Sequence, residues 1–320
     1  MAGTMTMSVN RRSLWLVEAI LAHVQERRAV LHLIEGGGRY IDCGIDTPGG
    51  LLLGVELALV CLGDLALVTI VPGDVAGRPV PTVQVMTDHP VQACLASQYA
   101  GWAISEGKYF AMGSGPMRAV RGREPIYDTI GFRETENSVV GVLETRKPPP
   151  HSVVAAVAAE CKVLPSSVTL LAAPTASLAG GVQVVARSVE TAMHKLAELK
   201  FDLGRIQSAH GSAPLPPVAR DDLAAIGRTN DAVLYGARVV LYVTGDDESI
   251  EQIGPQVPSS SSRDHGEPFS SIFARYKHDF YAVDPLLFSP AQVVFQNLET
   301  GRSHAFGRVE TDILARSFWG

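Results

Sequence analysis

The chain is 320 residues long, 46% hydrophobic and 19% charged, which gives enough apolar material for two cores of ordinary size. Its 27 Lys and Arg against 33 Asp and Glu leave a net charge of −6, which excludes the broad basic surface of a non-specific nucleic-acid binder. Cys43, Cys61, Cys94 and Cys161 form no Cys-x-x-Cys pair and have no His at metal-ligand spacing, so buried thiols in a reducing cytoplasm are expected.

The first apolar patch, residues 14–17, is broken by Glu18 and then by His23, Glu26 and Arg27, so it is read as a helix rather than a secretory signal. Leu14, Val17, Leu21 and Val24 recur at helical intervals, with Asn10 as the expected cap. Residues 30–34 and 39–43 are expected to pair as a hairpin around Gly36-Gly37-Gly38. The long apolar run at 50–71 is interrupted by Glu56, Gly63 and Asp64, so it reads as a buried helix followed by a buried strand, not as a membrane span. An extended segment at 79–86, helical composition over 91–104 and a short strand at 109–112 follow.

That strand runs into Gly113-Ser114-Gly115-Pro116-Met117-Arg118. Two glycines and a hydroxyl after a strand can aim backbone N–H groups at an anion, with Arg118 and Arg121 adding charge. The same residues also suit a plain turn. Strand at 139–143, helix at 152–161 and strand at 168–172 then alternate, which gives a mixed α/β fold. Pro148-Pro149-Pro150 and the 212–217 stretch, with Pro214, Pro216 and Pro217, are stiff connectors and candidate seams. On them rest the expected boundaries of two domains: residues 1–85 with 218–320 as a discontinuous first domain, and 86–217 as the second.

Residues 186–195, Ala-Arg-Ser-Val-Glu-Thr-Ala-Met-His-Lys, carry the densest chemistry. Helical spacing puts Arg187, Glu190 and His194 on one face, while Val189, Ala192, Met193 and Leu196 make an apolar stripe that anchors the helix. An ordinary amphipathic helix with an exposed Arg–Glu pair has the same pattern. Further on, Arg228, Thr229, Asn230 and Asp231 precede an apolar run and suit either a cap or hydrogen bonding to a heterocycle edge. Ser259–Ser262 with Asp264 and His265 lacks the spacing and the strand-to-helix elbow of a hydrolase triad, so a mobile loop over the pocket is expected there.

Taken together, Ile41-Asp42-Cys43-Gly44, the 113–118 loop, residues 172–181, the 186–195 helix, residues 227–236 and residues 284–291 resemble the methenyltetrahydromethanopterin cyclohydrolase family. The resemblance runs from Met7 to the Ser317-Phe318 tail and leaves a six-residue leader unmatched. It implies two α/β domains with a substrate pocket between them, and a homotrimer. It also implies interconversion of methenyl- and 5-formyltetrahydromethanopterin in one-carbon metabolism. The carrier is then the substrate, with no prosthetic group, no nucleic acid and no membrane involved. Arg187-x-x-Glu190 matches the family's catalytic pair. The carrier's phosphate- and carboxylate-bearing tail would give the Gly113, Ser114, Gly115 and Arg118 loop a ligand, and the pterin would meet Arg228, Thr229, Asn230 and Asp231. Two rivals remain from the residues alone: a non-catalytic pterin carrier and a cyclohydrolase for the folate analogue.

Overall fold

The structure is a computed structural model that describes residues 7–279 and 282–320; the unmatched leader lies outside them. In chain order the first half runs α1 (Val9–Ala22), β1 (Val30–Leu33), β2 (Arg39–Asp42), α2 (Leu51–Cys61), β3 (Leu67–Val71), a small hairpin β4 (Asp74–Val75) and β5 (Arg78–Pro79), β6 (Thr82–Thr87), a π-helix (Val91–Gln98), β7 (Trp102–Glu106), β8 (Tyr109–Ser114), α3 (Met117–Arg121), α4 (Ile126–Ile130) and β9 (Val139–Glu144). The second half runs α5 (His151–Cys161), β10 (Val168–Ala173), α6 (Leu178–Val185), α7 (Ser188–Glu198), β11 (Ile206–Pro214), α8 (Asp222–Leu234), β12 (Arg238–Val243), α9 (Asp247–Ile253), α10 (Phe269–Arg275), β13 (Gln292–Asn297), β14 (Ser303–Gly307) and α11 (Thr311–Trp319).

Two six-stranded mixed sheets organise the molecule, in the orders β1-β2-β10-β9-β8-β7 and β14-β13-β12-β11-β6-β3. The mixed α/β expectation holds. The first sheet is covered on both faces because its central strands β9 and β10 are apolar at nearly every position, Thr169 and Glu144 excepted. Val139, Leu143, Leu170 and Ala172 point toward α5, and the alternate residues Val140, Val142, Leu171 and Ala173 point toward α1 and α2. The second sheet buries one face only: Val239, Leu241 and Val243 pack on α7 and its neighbours, while Met86 and Tyr242 on the other face stay exposed.

Several sequence expectations are corrected. The first helix is capped by Ser8, whose hydroxyl accepts from Arg11 N–H; Asn10 is buried and its amide bridges the Pro116 carbonyl, Glu134 and the Val140 N–H. Residues 91–104 are a π-helix and then a strand rather than one helix. The 186–195 helix begins only at Ser188: α6 ends at Val185, and Arg187 is the N-cap of α7. Ser259 is fully buried with its hydroxyl on the Leu234 carbonyl, and Asp264 holds Tyr276 and the Asp284 N–H, so this segment is pinned rather than a lid.

The sheets divide the chain along other lines than the Pro-rich seams. The β1–β2 hairpin pairs in parallel with β10, 130 residues on, and so joins the sheet of 102–173 instead of that of 67–87. The C-terminal strands β12–β14 share a sheet with β3 and β6, with β11 between them. Helices α6 and α7 carry the chain from β10 of one sheet to β11 of the other, which sets α7 at their junction.

Candidate active site

Glu190 is the third residue of α7 and only 4% exposed. Burial pushes its carboxyl up to about 7, against the pull of the Arg187 and Arg118 guanidinium charges. No described residue hydrogen-bonds its carboxylate. Arg187 does not bond it either, contrary to the pairing the helical spacing suggests. Its Nη1 donates to the Gln98 carbonyl at 2.7 Å, and its Nη2 to the Gln183 Oε1 at 3.2 Å and the Ser114 Oγ at 3.3 Å. Arg187 therefore acts on Glu190 through its charge while its guanidinium is fixed elsewhere. The carboxylate is left free to meet a ligand.

The kink between α6 and α7 makes this possible. It turns the Ala186 carbonyl out of the helical ladder, where Gln98 Nε2 donates to it at 3.0 Å, and it swings Arg187 toward β8. His194, one turn beyond Glu190, stacks on Tyr99 with ring centroids 4.6 Å apart. Burial pushes its imidazole below the ordinary range. The partners of Arg187 and His194, which flank Glu190, thus come from the end of the π-helix and the residue after it, from the Ser114 strand end and from α6.

The π-helix explains the convergence. Its closing i to i+5 hydrogen bond, Tyr99 N–H to the Cys94 carbonyl at 2.8 Å, leaves the carbonyls of Leu95, Ala96, Ser97 and Gln98 without partners inside the helix. Each finds a donor from a distant segment. Arg118 Nη1 takes Leu95 at 3.1 Å and Ser97 at 3.3 Å, the Tyr127 hydroxyl takes Ala96 at 2.7 Å, and Arg187 takes Gln98. The Gly115 N–H also donates to Ser97 O at 2.9 Å.

That last bond corrects the anion-cradle expectation. Gly115 spends its N–H on the π-helix and sits at φ +88°, where a glycine is favoured, and a Cβ on Gly113 would press within 3.1 Å of Ile104, Met117 and Trp102. The loop is a tight turn that presents Ser114 to Arg187. Arg118 is completely buried, so it stands behind the site instead of facing a ligand.

The 228–231 group lies elsewhere. It is neither a cap nor a turn, being in the middle of α8. Thr229 and Asn230 donate their side-chain hydrogens to the Ala225 and Ile226 carbonyls of their own helix. Asp231 accepts from the Phe269 N–H at 2.7 Å, and burial pushes its carboxyl up to about 7. Arg228 and Thr229 line an open cavity of about 310 Å³ with Thr175, Ser177 and Trp319. Gly181 of α6 also faces that cavity, whereas Gln183, about 200° further round the helix, holds Arg187. The structure therefore gathers Arg187, Glu190, Ser114 and Arg118 and keeps the Arg228 group on the far side of α6.

Sequence reasoning missed Gln98, Tyr99, Glu124 and Gln183. Nothing in their spacing marks them, since they act through partners between 4 and 95 residues away. All four cysteines are free and buried, as expected. Among the described residues no group of three or more His, Cys, Asp or Glu is arranged to hold a metal ion, and no helix is long and apolar enough to cross a membrane.

Comparison with known proteins bears on this geometry. A family model described as Cyclohydrolase (MCH) matches residues 8–318. The chain is 48% identical over 293 residues to the methenyltetrahydromethanopterin cyclohydrolase of Rhodopirellula baltica, covering 90% of this chain and 88% of that protein. It is 45% identical over 320 residues to the protein of that name from Methylobacterium sp. strain 4-46, covering 98% of each. It is 39% identical over 314 residues to the one from the archaeon Methanococcoides burtonii, covering 97% of this chain and 98% of that protein.

Proposed function

The chain belongs to the cyclohydrolase (MCH) family, and we propose that Glu190 is the group that moves the proton in its reaction. The enzyme is a hydrolase of cyclic amidine carbon–nitrogen bonds. It interconverts methenyltetrahydromethanopterin and 5-formyltetrahydromethanopterin by attack of water on the methenyl carbon, within one-carbon metabolism.

The bridging carbon belongs to a cationic amidinium and is already electrophilic, so the protein's task is proton transfer. Glu190 as carboxylate takes a proton from water as the carbon becomes tetrahedral. It returns that proton to the aryl-side nitrogen as the carbon–nitrogen bond breaks, while the hydroxyl on the tetrahedral carbon gives up its own proton to solvent, so the cation and water yield the neutral 5-formyl product and one proton. A carboxyl near 7 suits both halves of that cycle at neutral pH. Arg187, anchored on three acceptors, keeps the carboxylate from drifting to full neutrality without occupying its oxygens.

The observation that carries this reading is a buried carboxylate, flanked by two arginines fixed elsewhere, that no described residue hydrogen-bonds. Loss of methenyltetrahydromethanopterin absorbance, followed with wild type and Glu190→Gln, tests it. Turnover should drop by about tenfold to ten-thousandfold while the circular dichroism stays native; undiminished turnover removes Glu190 from the mechanism. The methenyl-folate analogue, run in parallel, tests the carrier, since folate lacks the phosphate-bearing tail. The proposal includes a cytoplasmic homotrimer that uses no prosthetic group. The loop Gly113-Ser114-Gly115 then shapes the reacting end of the pocket, and Arg228 and Thr229 face a separate cavity.

A further inference from the structure

Arg118 is the least economical residue in the neighbourhood if its purpose is only to hold the fold. It is 0% exposed. Its Nε donates to Glu124 Oε1 at 2.9 Å, its Nη1 to the Leu95 and Ser97 carbonyls, and its Nη2 has no hydrogen-bond partner. A buried donor left idle costs stability, which a residue serving only as a carbonyl cap would avoid. Its guanidinium lies over the Tyr99 ring at 4.9 Å and the Tyr127 ring at 5.4 Å. Tyr99 in turn stacks on His194, and the Gln98 carbonyl between Ser97 and Tyr99 holds Arg187. One three-residue turn thus ties Arg118 to both neighbours of Glu190 on α7.

We propose that Arg118 is a positioning residue for the proton-transfer group: it fixes the Ser97-Gln98-Tyr99 turn on which Arg187 and His194 rest, and it supplies a permanent positive charge to Glu190 from the sealed side of the site. The proposal rests on Glu190 as the base. Arg118 already stands beside Arg187 as the charge that opposes the effect of burial on Glu190. Glu124 sets how much of that charge is neutralised, through the ion pair at Arg118 Nε. Besides Arg118, Arg187 at the start of its helix and Cys94 and Tyr99 on and just after the π-helix feel the Glu190 charge, and His194, one turn on, interacts with Lys195 and Glu198. Strand β11 meets α7 through Gly211, beside Ser188 and Val189, and so turns His210 to the opposite face.

The test is the pH profile of turnover in the hydrolytic direction. Activity that needs ionised Glu190 rises with pH through an acid limb near neutrality. Arg118→Met removes the charge and should move that limb up by about half a pH unit or more, and Arg118→Lys should bring it back toward the wild-type position. Glu124→Gln keeps the size and an acceptor for Nε but frees the arginine's charge, so it should move the limb down. Opposite shifts from the two partners of one ion pair support the proposal, because a structural role alone would lower turnover without moving the limb. If Arg118→Met fails to fold, Glu124→Gln decides alone: a limb that stays in place, or moves up, overturns it. A wild-type profile with no acid limb overturns the Glu190 reading instead, which separates the two failures.

Discussion

Glu190 is a residue whose ionisation the fold disfavours. Its folded value of about 7 lies above the ordinary 4.5, so between those values folding takes up a proton and the group's contribution to stability falls as pH rises. Glu190→Gln removes that penalty. The variant should melt above wild type at about pH 8, by an amount corresponding to about 1–3 kcal/mol, and the gap should close on titration toward about pH 4. Thermal melts across that range check it, and a constant gap would mean that the carboxyl titrates normally. A loss of activity joined to a gain in stability is the signature of a strained functional group. Arg187→Lys should also lose activity. A point charge cannot reach Gln98, Ser114 and Gln183 together, so turnover should fall by about tenfold or more despite the retained charge. Steady-state kinetics on Arg187→Lys and Arg187→Ala should then give similar values.

At the level of elements, α6 is the part whose position tolerates least change. A Cβ on Gly180 would lie 1.9 Å from the Pro174 carbonyl oxygen, so Gly180→Ala forces the start of the helix away from its loop. The expected cost is about 1–3 kcal/mol, with a parallel loss of turnover because Gln183 and Arg187 move with the helix. Equilibrium denaturation and kinetics on one preparation test both. The strands were legible in the sequence because runs such as Val139–Glu144 and Val168–Ala173 are β-branched or small and bounded by turns. The nearness of Arg187, Glu190 and His194 in the chain's polar pattern was legible because the three share a helical period. The break at Ala186-Arg187 was not, since both residues are good helix formers and the kink is stabilised by Gln98, 88 residues away. The π-helix was equally hidden: its eight residues, Val-Gln-Ala-Cys-Leu-Ala-Ser-Gln, read as ordinary helix, and the wider turn is maintained by donors from α3, α4 and the N-cap of α7. Thr229 and Asn230 misled for the converse reason, because a polar side chain inside a helix can satisfy itself on its own backbone.

For the whole molecule, the Pro-rich seams were a poor guide to its two sheets, since proline marks where a strand or helix stops and pairing decides which sheet a strand joins. Pro148-Pro149-Pro150 separates β9 from α5, both of which belong to the first sheet and its covering layer, and Pro214 is itself the last residue of β11. Oligomeric state belongs to this scale too. Sedimentation velocity should give a single species of three times the chain mass, and a monomer at micromolar concentration would remove the homotrimer from the proposal. The position of β10 between β2 and β9 has a consequence for synthesis. A nascent chain that has emerged only to about residue 165 owns the hairpin on one side and β7 to β9 on the other, with two unpaired strand edges facing an empty central place. Such an intermediate is exposed to wrong pairing until β10 leaves the ribosome, and only after it come the helices that carry Arg187 and Glu190. Stalled chains that end before Val168 should therefore bind chaperones and aggregate, while the full-length chain should not.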